Sequence, residues 1–139
     1  MIQFYLLSVL LNISCGYALA AKKSESPSQV VRGAKIAISD PGLRLSLAIL
    51  SIAVGLMKLL FALRGDIPVI GDFLPATAGI VVGATLLLDI SDSAHLPFAK
   101  RGKMAARLEK HLLSYKQAIG YAGIMAGIIH FLFPMVLFL

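Results

Sequence analysis

Few side chains in this chain could do chemistry, and those that could are embedded in apolar sequence. Lys58 and His130 are the basic residues inside two apolar stretches, LSLAILSIAVGLMKLLFAL (Leu45 to Leu63) and QAIGYAGIMAGIIHFLFPM (Gln117 to Met135). Asp89 stands near the end of a third, Phe73 to Ile90. An ionisable group at membrane depth is expensive to desolvate, so each is a candidate intramembrane polar site. Lys58 lies about five residues from its helix end, close enough for its long stem to carry the charge outward to the interface. His130 lies deeper, where an imidazole either relays protons or holds one hydrogen bond to a neighbouring helix. Asp89 is placed to pair with Lys or Arg from either flanking basic loop. Asn12, a strongly polar amide inside an apolar run, is expected to hydrogen-bond across helices.

The remaining polar residues carry less. Asp66 and Asp72 read as turn and cap residues, and His95 and His111 have no second ligand at metal spacing. The sequence contains no H-E-x-x-H, no G-x-S-x-G, no phosphate-binding glycine loop and no close carboxylate pair within an apolar run. The expectation is therefore no enzyme, with no catalytic residue, no cofactor and no metal.

Composition sets the class that must position these groups. Of 139 residues, 58% are hydrophobic and 14% charged, with a mean hydropathy of +0.86. A soluble domain of this length needs more polar surface to cover its core. One cysteine, Cys15, excludes an intrachain disulfide framework. The net charge of +6 could point to nucleic acid. However, it is concentrated beside apolar runs, where anionic lipid headgroups account for it, and no nucleic-acid partner is expected.

Four spans follow along the chain. The first covers residues 2–20. A secretory signal is the rival reading, since Ala18-Leu19-Ala20 imitates a cleavage site. No basic residue precedes the apolar run, whereas Lys22, Lys23, Arg32 and Lys35 follow it, which favours an uncleaved span. A lipoprotein signal at Cys15 fits worse, because Asn12 stands where an aliphatic residue is required. Within the polar loop, Ser24 to Ser28 reads as a turn and Gln29 to Ile38 as a short amphipathic helix. Asp40-Pro41 then supplies an N-cap and an N1 proline for the second span, 44–63. The third, 73–90, is expected to start at Asp72 with Pro75 in its first turn. Met104, Leu108, Leu112 and Tyr115 recur at helical spacing and predict an interfacial amphipathic helix before the fourth span, 118–139. Pro134 should kink or fray that last helix.

Charge orients these spans. Of the 13 Lys and Arg, all but Lys58 and Arg64 lie in loops 21–44 and 91–117. Both loops are expected to be cytoplasmic, with both termini and the 64–72 connector outside. The setting is a cell membrane, the bacterial cytoplasmic (inner) membrane.

Small or polar residues four apart mark helix-packing faces: Asn12 and Gly16 (continuing from Ser8), Ser51 and Gly55, Gly79 and Gly83, Gly123 and Gly127. These faces also repeat. Ser51 and Gly55 fall on Gly123 and Gly127 at an offset of 72 residues, and Asn12 and Gly16 fall on Gly79 and Gly83 at 67. At the 72-residue offset Lys58 meets His130, and both polar loops hold an Arg-Gly pair, Arg32-Gly33 and Arg101-Gly102. The predicted fold is one all-α transmembrane domain, 1–139, of four helices. They form two hairpins of the same orientation, 1–63 and 71–139, as a parallel internal repeat.

Three function classes fit such a chain. The short loops and packing faces favour an accessory or scaffold subunit of a larger membrane complex, partnered by anionic lipid and by other membrane subunits or itself. The alternative is a small oligomeric carrier or channel with His130 and Lys58 lining its pathway. A membrane enzyme acting on lipid or quinone is disfavoured by the missing catalytic constellation. The predicted orientation has a direct check: single cysteines at Ser26, Ser93 and Gly65 in a Cys15→Ser background, probed in intact cells with an impermeant maleimide. Only the cysteine at 65 should react, and labelling at 26 or 93 would reverse the assignment.

Overall fold

The computed structural model describes residues 2–21, 40–62, 69–93 and 103–133. Among these residues the chain is all-helical, with five helices and no strand: α1 (Ile2–Ala20), α2 (Pro41–Ala62), α3 (Val69–Ser93), α4 (Lys103–Ser114) and α5 (Lys116–Leu132). The expected turn at 24–28, the helix at 29–38, His95, the connector up to residue 68 and the tail beyond residue 133 lie outside the described residues.

Local chemistry accounts for most helix ends. At the start of α2 the Asp40 carboxylate accepts the Leu43 amide at 2.8 Å, and the Asp40 carbonyl accepts the Arg44 amide at 3.0 Å. Pro41 fills the first helical position, where a missing N–H costs nothing. α5 stops at Leu132: Phe133 leaves helical geometry at φ −125, ψ 63, because the residue before a proline is pushed out of the α region. The start of α3 differs from the sequence-based expectation. The helix begins at Val69, so Asp72 lies inside its first turn instead of capping it, and Pro75 falls within the helix. The apolar residues before Asp72 continue the helix, and a proline near a helix start removes a single backbone bond.

α4 and α5 are almost one helix. Tyr115 separates them with φ −104 and ψ 14, yet its amide bonds to the His111 carbonyl at 3.2 Å. Its own carbonyl accepts the Ile119 amide at 2.9 Å.

The most extensive packing is α2 against α3 and α1 against α5; α1 also touches α2 and α3, and α3 touches α5. Cys15, Leu19, Ala48, Val82 and Leu86 form the buried apolar centre. The buried positions of α2 are Ala48, Ser51, Val54, Gly55 and Lys58, and those of α5 are Gly120, Gly123, Ala126, Gly127 and His130. Large apolar side chains point outward instead, among them Leu10, Ile49, Leu50, Met57, Met125 and Phe131. α2 and α5 thus bury mainly small and polar residues and expose many large apolar ones, unlike the surface helices of a water-soluble domain. Two stretches, Pro41–Leu60 and Phe73–Asp92, are long and apolar enough to cross a membrane, each with a mean hydropathy of 1.9; Tyr5–Ala20 is a shorter apolar helix.

Close backbone approach holds the pairs together. A Cβ added to Gly16 would stand 2.5 Å from the Gly120 carbonyl oxygen, and one added to Gly55 would stand 2.8 Å from the Ala76 carbonyl oxygen. Neither contact ends on a flexible side chain that could yield, so helices must separate to admit one. Gly16→Val and Gly55→Val should each destabilise by about 2 kcal/mol or more, read as lowered thermal unfolding in detergent. Exposed Leu132→Ala should change little. Unchanged melting of both valine variants would show that these approaches are not needed.

Candidate functional site

At one end of the bundle the first turns of α1 meet the last turns of α2 and α5. Lys58 and His130 are 6% and 5% exposed, and Lys58 Nζ lies 3.1 Å from His130 Nε2. Lys58 is therefore turned inward, contrary to the expectation that it would reach out along its helix; an acceptor on the facing helix holds its head. The roles at this contact depend on the imidazole tautomer: with Lys58 as an ammonium, which can only donate, Nε2 accepts and the ring proton sits on Nδ1.

Tyr5 completes the cluster. Its hydroxyl donates to the His130 carbonyl at 2.5 Å and reaches the Phe131 carbonyl at 3.2 Å. Its ring lies 4.6 Å from the imidazole, and Lys58 Nζ stands 5.8 Å from the ring centroid, within cation–π range. The hydroxyl has a definite task. A continuing helix would bond the His130 carbonyl to the amide of residue 134, but that residue is proline and has no N–H. Tyr5 supplies the missing donor. Sequence reasoning did not single out Tyr5, although a proline four residues after His130 signals an orphaned carbonyl.

Midway along the bundle the polar groups bond to backbone. Buried Asn12 donates from Nδ2 to the Pro75 carbonyl at 3.1 Å, and Ser51 Oγ donates to the Gly79 carbonyl at 2.9 Å. Cys15 Sγ lies 3.4 Å from the Leu47 carbonyl. Of the packing residues, Asn12, Gly16, Ser51, Gly55, Gly79, Gly83, Gly123 and Gly127 are all buried. A Cβ on Gly79 would meet Asn12 Oδ1 at 3.2 Å, and one on Gly123 would meet Val82 Cγ2 at 2.6 Å.

At the opposite end, among the described residues, Asp89 of α3 pairs with two cations. Arg44 Nη2 of α2 lies 2.5 Å from Oδ2, and Lys116 Nζ of α5 lies 2.7 Å from Oδ1. One carboxylate thus ties three helices, and its two oxygens are divided between the two partners. His111 is exposed, with its ring 5.0 Å from that of Tyr115. Among the described residues no group of three or more His, Cys, Asp or Glu could hold a metal ion.

A protein-family model matches residues 1–130 of the chain. An uncharacterized protein of Treponema pallidum (strain Nichols) is 30% identical over 139 residues, which covers 100% of both chains. No solved structure matches.

The end clusters make a stability prediction. His130→Leu leaves Lys58 in place but removes an acceptor, whereas Lys58→Met removes the buried cation itself. The two side chains meet directly, so the loss in the double variant should fall short of the sum of the two single losses by about 1 kcal/mol. Thermal unfolding of both variants and of the double variant checks this. Single losses that add up to the loss of the double variant would mean that the pair is not coupled.

Proposed function

We propose that this chain, which belongs to the same family as that Treponema pallidum protein, is a four-span membrane protein serving as an accessory or scaffold subunit of a larger membrane complex. α1, α2, α3 and α5 are its spans, arranged as two hairpins of one orientation related by an internal repeat. The basic loops face the cytoplasm, and both termini and the 64–68 connector face outward.

One observation carries this proposal: the tight contacts recur at the offsets found in the sequence. Gly16 meets the Gly120 carbonyl and Ile124 Cγ1; Gly83, 67 residues later, meets the Ala48 carbonyl and Ile52 Cγ1. Gly120 and Ile124 are each 72 residues beyond Ala48 and Ile52. Gly55 meets the Ala76 carbonyl and Ile80 Cγ1, and Gly127 meets the Val9 carbonyl and Ile13 Cγ1 in the same relation. All five buried positions of α2 map onto those of α5 by adding 72. Lys58 and His130, equivalent under this shift, meet each other, as expected of residues facing across an approximate two-fold axis.

Such an arrangement supports a scaffold because backbone contact fills the space between helices where a pathway would run. The large apolar residues outside remain available to lipid and to partner helices, whose packing needs surface and not a cavity. A second role, as an oligomeric carrier or channel, is favoured by the buried Lys58–His130 pair alone, since a histidine that relays protons must be able to change partners.

Two measurements separate these roles. Solubilisation in mild detergent should yield the chain with other membrane subunits in fixed proportion. In a deletion strain, His130→Gln should restore the phenotype, because a glutamine oxygen can accept from Lys58. A His130→Gln protein that is abundant but inactive would reject the scaffold role in favour of transport.

A further inference from the structure

α4, with Tyr115 just beyond its end, carries an exposed apolar stripe, on which the His111 ring rests against Tyr115. Met104 is 86% exposed, Leu108 61% and Tyr115 57%, and all three fall on one side of the helix. Leu112, grouped with them by spacing alone, is half-buried together with Glu109 and Leu113 on the side turned toward the bundle. Arg107 and Lys110 are exposed on the flank of the stripe away from Leu112. The helix thus has three sides: one against the protein, one apolar and open, and one cationic and open.

We propose that this open side of α4 is a docking surface for anionic phospholipid in the leaflet where α5 begins. The proposal rests on the membrane assignment above and names the partner of this surface. Charge complementarity selects the occupant. From Lys103 to Lys116 the chain has Lys103, Arg107, Lys110 and Lys116 against Glu109 as the only carboxylate. Lys116 is engaged by Asp89, so among the described side chains Arg107 and Lys110 are the exposed cations beside the stripe, Lys110 also bordering a hollow lined by Asp92 and Glu109. Apolar side chains flanked by cations suit the boundary between acyl chains and negative headgroups. A second copy of the chain would set these cations against their own kind. Position agrees as well. Backbone hydrogen bonds continue from His111 through Tyr115 to Ile119, so the docked helix is attached almost without slack to the start of a span.

The test uses the full-length chain with Cys15→Ser and Met104→Cys, labelled with an environment-sensitive fluorophore. It is reconstituted into vesicles of phosphatidylcholine alone or with about 30 mol% phosphatidylglycerol. Both leaflets have the same composition, so mixed insertion does not matter. Nitroxide lipid labelled near the headgroup should quench the fluorophore more strongly in the anionic vesicles. Salt at about 0.5 M should reverse the difference by screening. Arg107→Gln or Lys110→Gln should each lower the docked-to-undocked ratio about fivefold in the anionic vesicles. A label quenched by aqueous iodide and indifferent to phosphatidylglycerol would overturn the docking surface while leaving the spans intact. A label shielded from both quenchers would overturn it in favour of a protein partner or a second copy. Release of the chain from the vesicles by alkaline carbonate would instead overturn the membrane assignment, and the docking surface with it.

Discussion

Backbone-to-backbone contact is the constraint on which the rest of this structure depends. Along α1 and α5 the approach is closest at Gly16 and Gly120, where a Cβ on either would fall within 2.6 Å of the other's carbonyl oxygen. Along α2 and α3 it is set by Gly55 and Gly83 against the carbonyls of Ala76 and Ala48. At this separation dispersion between many atoms and short polar contacts supply the cohesion. That fits a chain whose largest apolar side chains face outward, away from the contacts that hold the helices together.

The polar groups follow from that closeness. Asn12 and Ser51 reach carbonyls on α3 because the backbones are near enough for short side chains to span the gap. At the two ends longer side chains join the helices. Tyr5, Lys58 and His130 join α1, α2 and α5 at one end, while Arg44, Asp89 and Lys116 join α2, α3 and α5 at the other. Arg44 and Lys116 are themselves 72 residues apart, so under the proposed repeat they are equivalent, and both converge on one acid. Residue 22, the counterpart of Asp89 in the sequence under the proposed 67-residue shift, is a lysine, so the two halves of that repeat differ there in charge.

This difference bears on assembly within the chain. Two identical hairpins could pair with copies of themselves as readily as with each other. Under the proposed repeat, the Lys58–His130 contact and the pairing of Asp89 with Arg44 and Lys116 both join side chains that differ between the two halves. Polar groups used in this way specify partner and register, as single buried polar residues do in coiled coils.

Most of the helices were legible in the sequence, because long apolar runs with few breaks can only be helical and Asp40-Pro41 marks one start unambiguously. Pro75 was misleading: proline suggested a first turn, yet the helix begins earlier at Val69. The small-residue faces and the isolated polar residues were also visible, since spacing alone places them. Which faces meet was not. Spacing could not reveal that α1 packs chiefly on α5 and α2 on α3, because any small-residue face can approach any other. Nor could it turn Lys58 inward or recruit Tyr5, since both depend on what the facing helix presents: a ring nitrogen in one case, a carbonyl orphaned by Pro134 in the other. The sequence by itself determined the elements, their apolarity and the placement of the charges. Only the tertiary structure decided the pairing, because a hydrogen bond or a backbone contact exists between two surfaces and is written in neither alone.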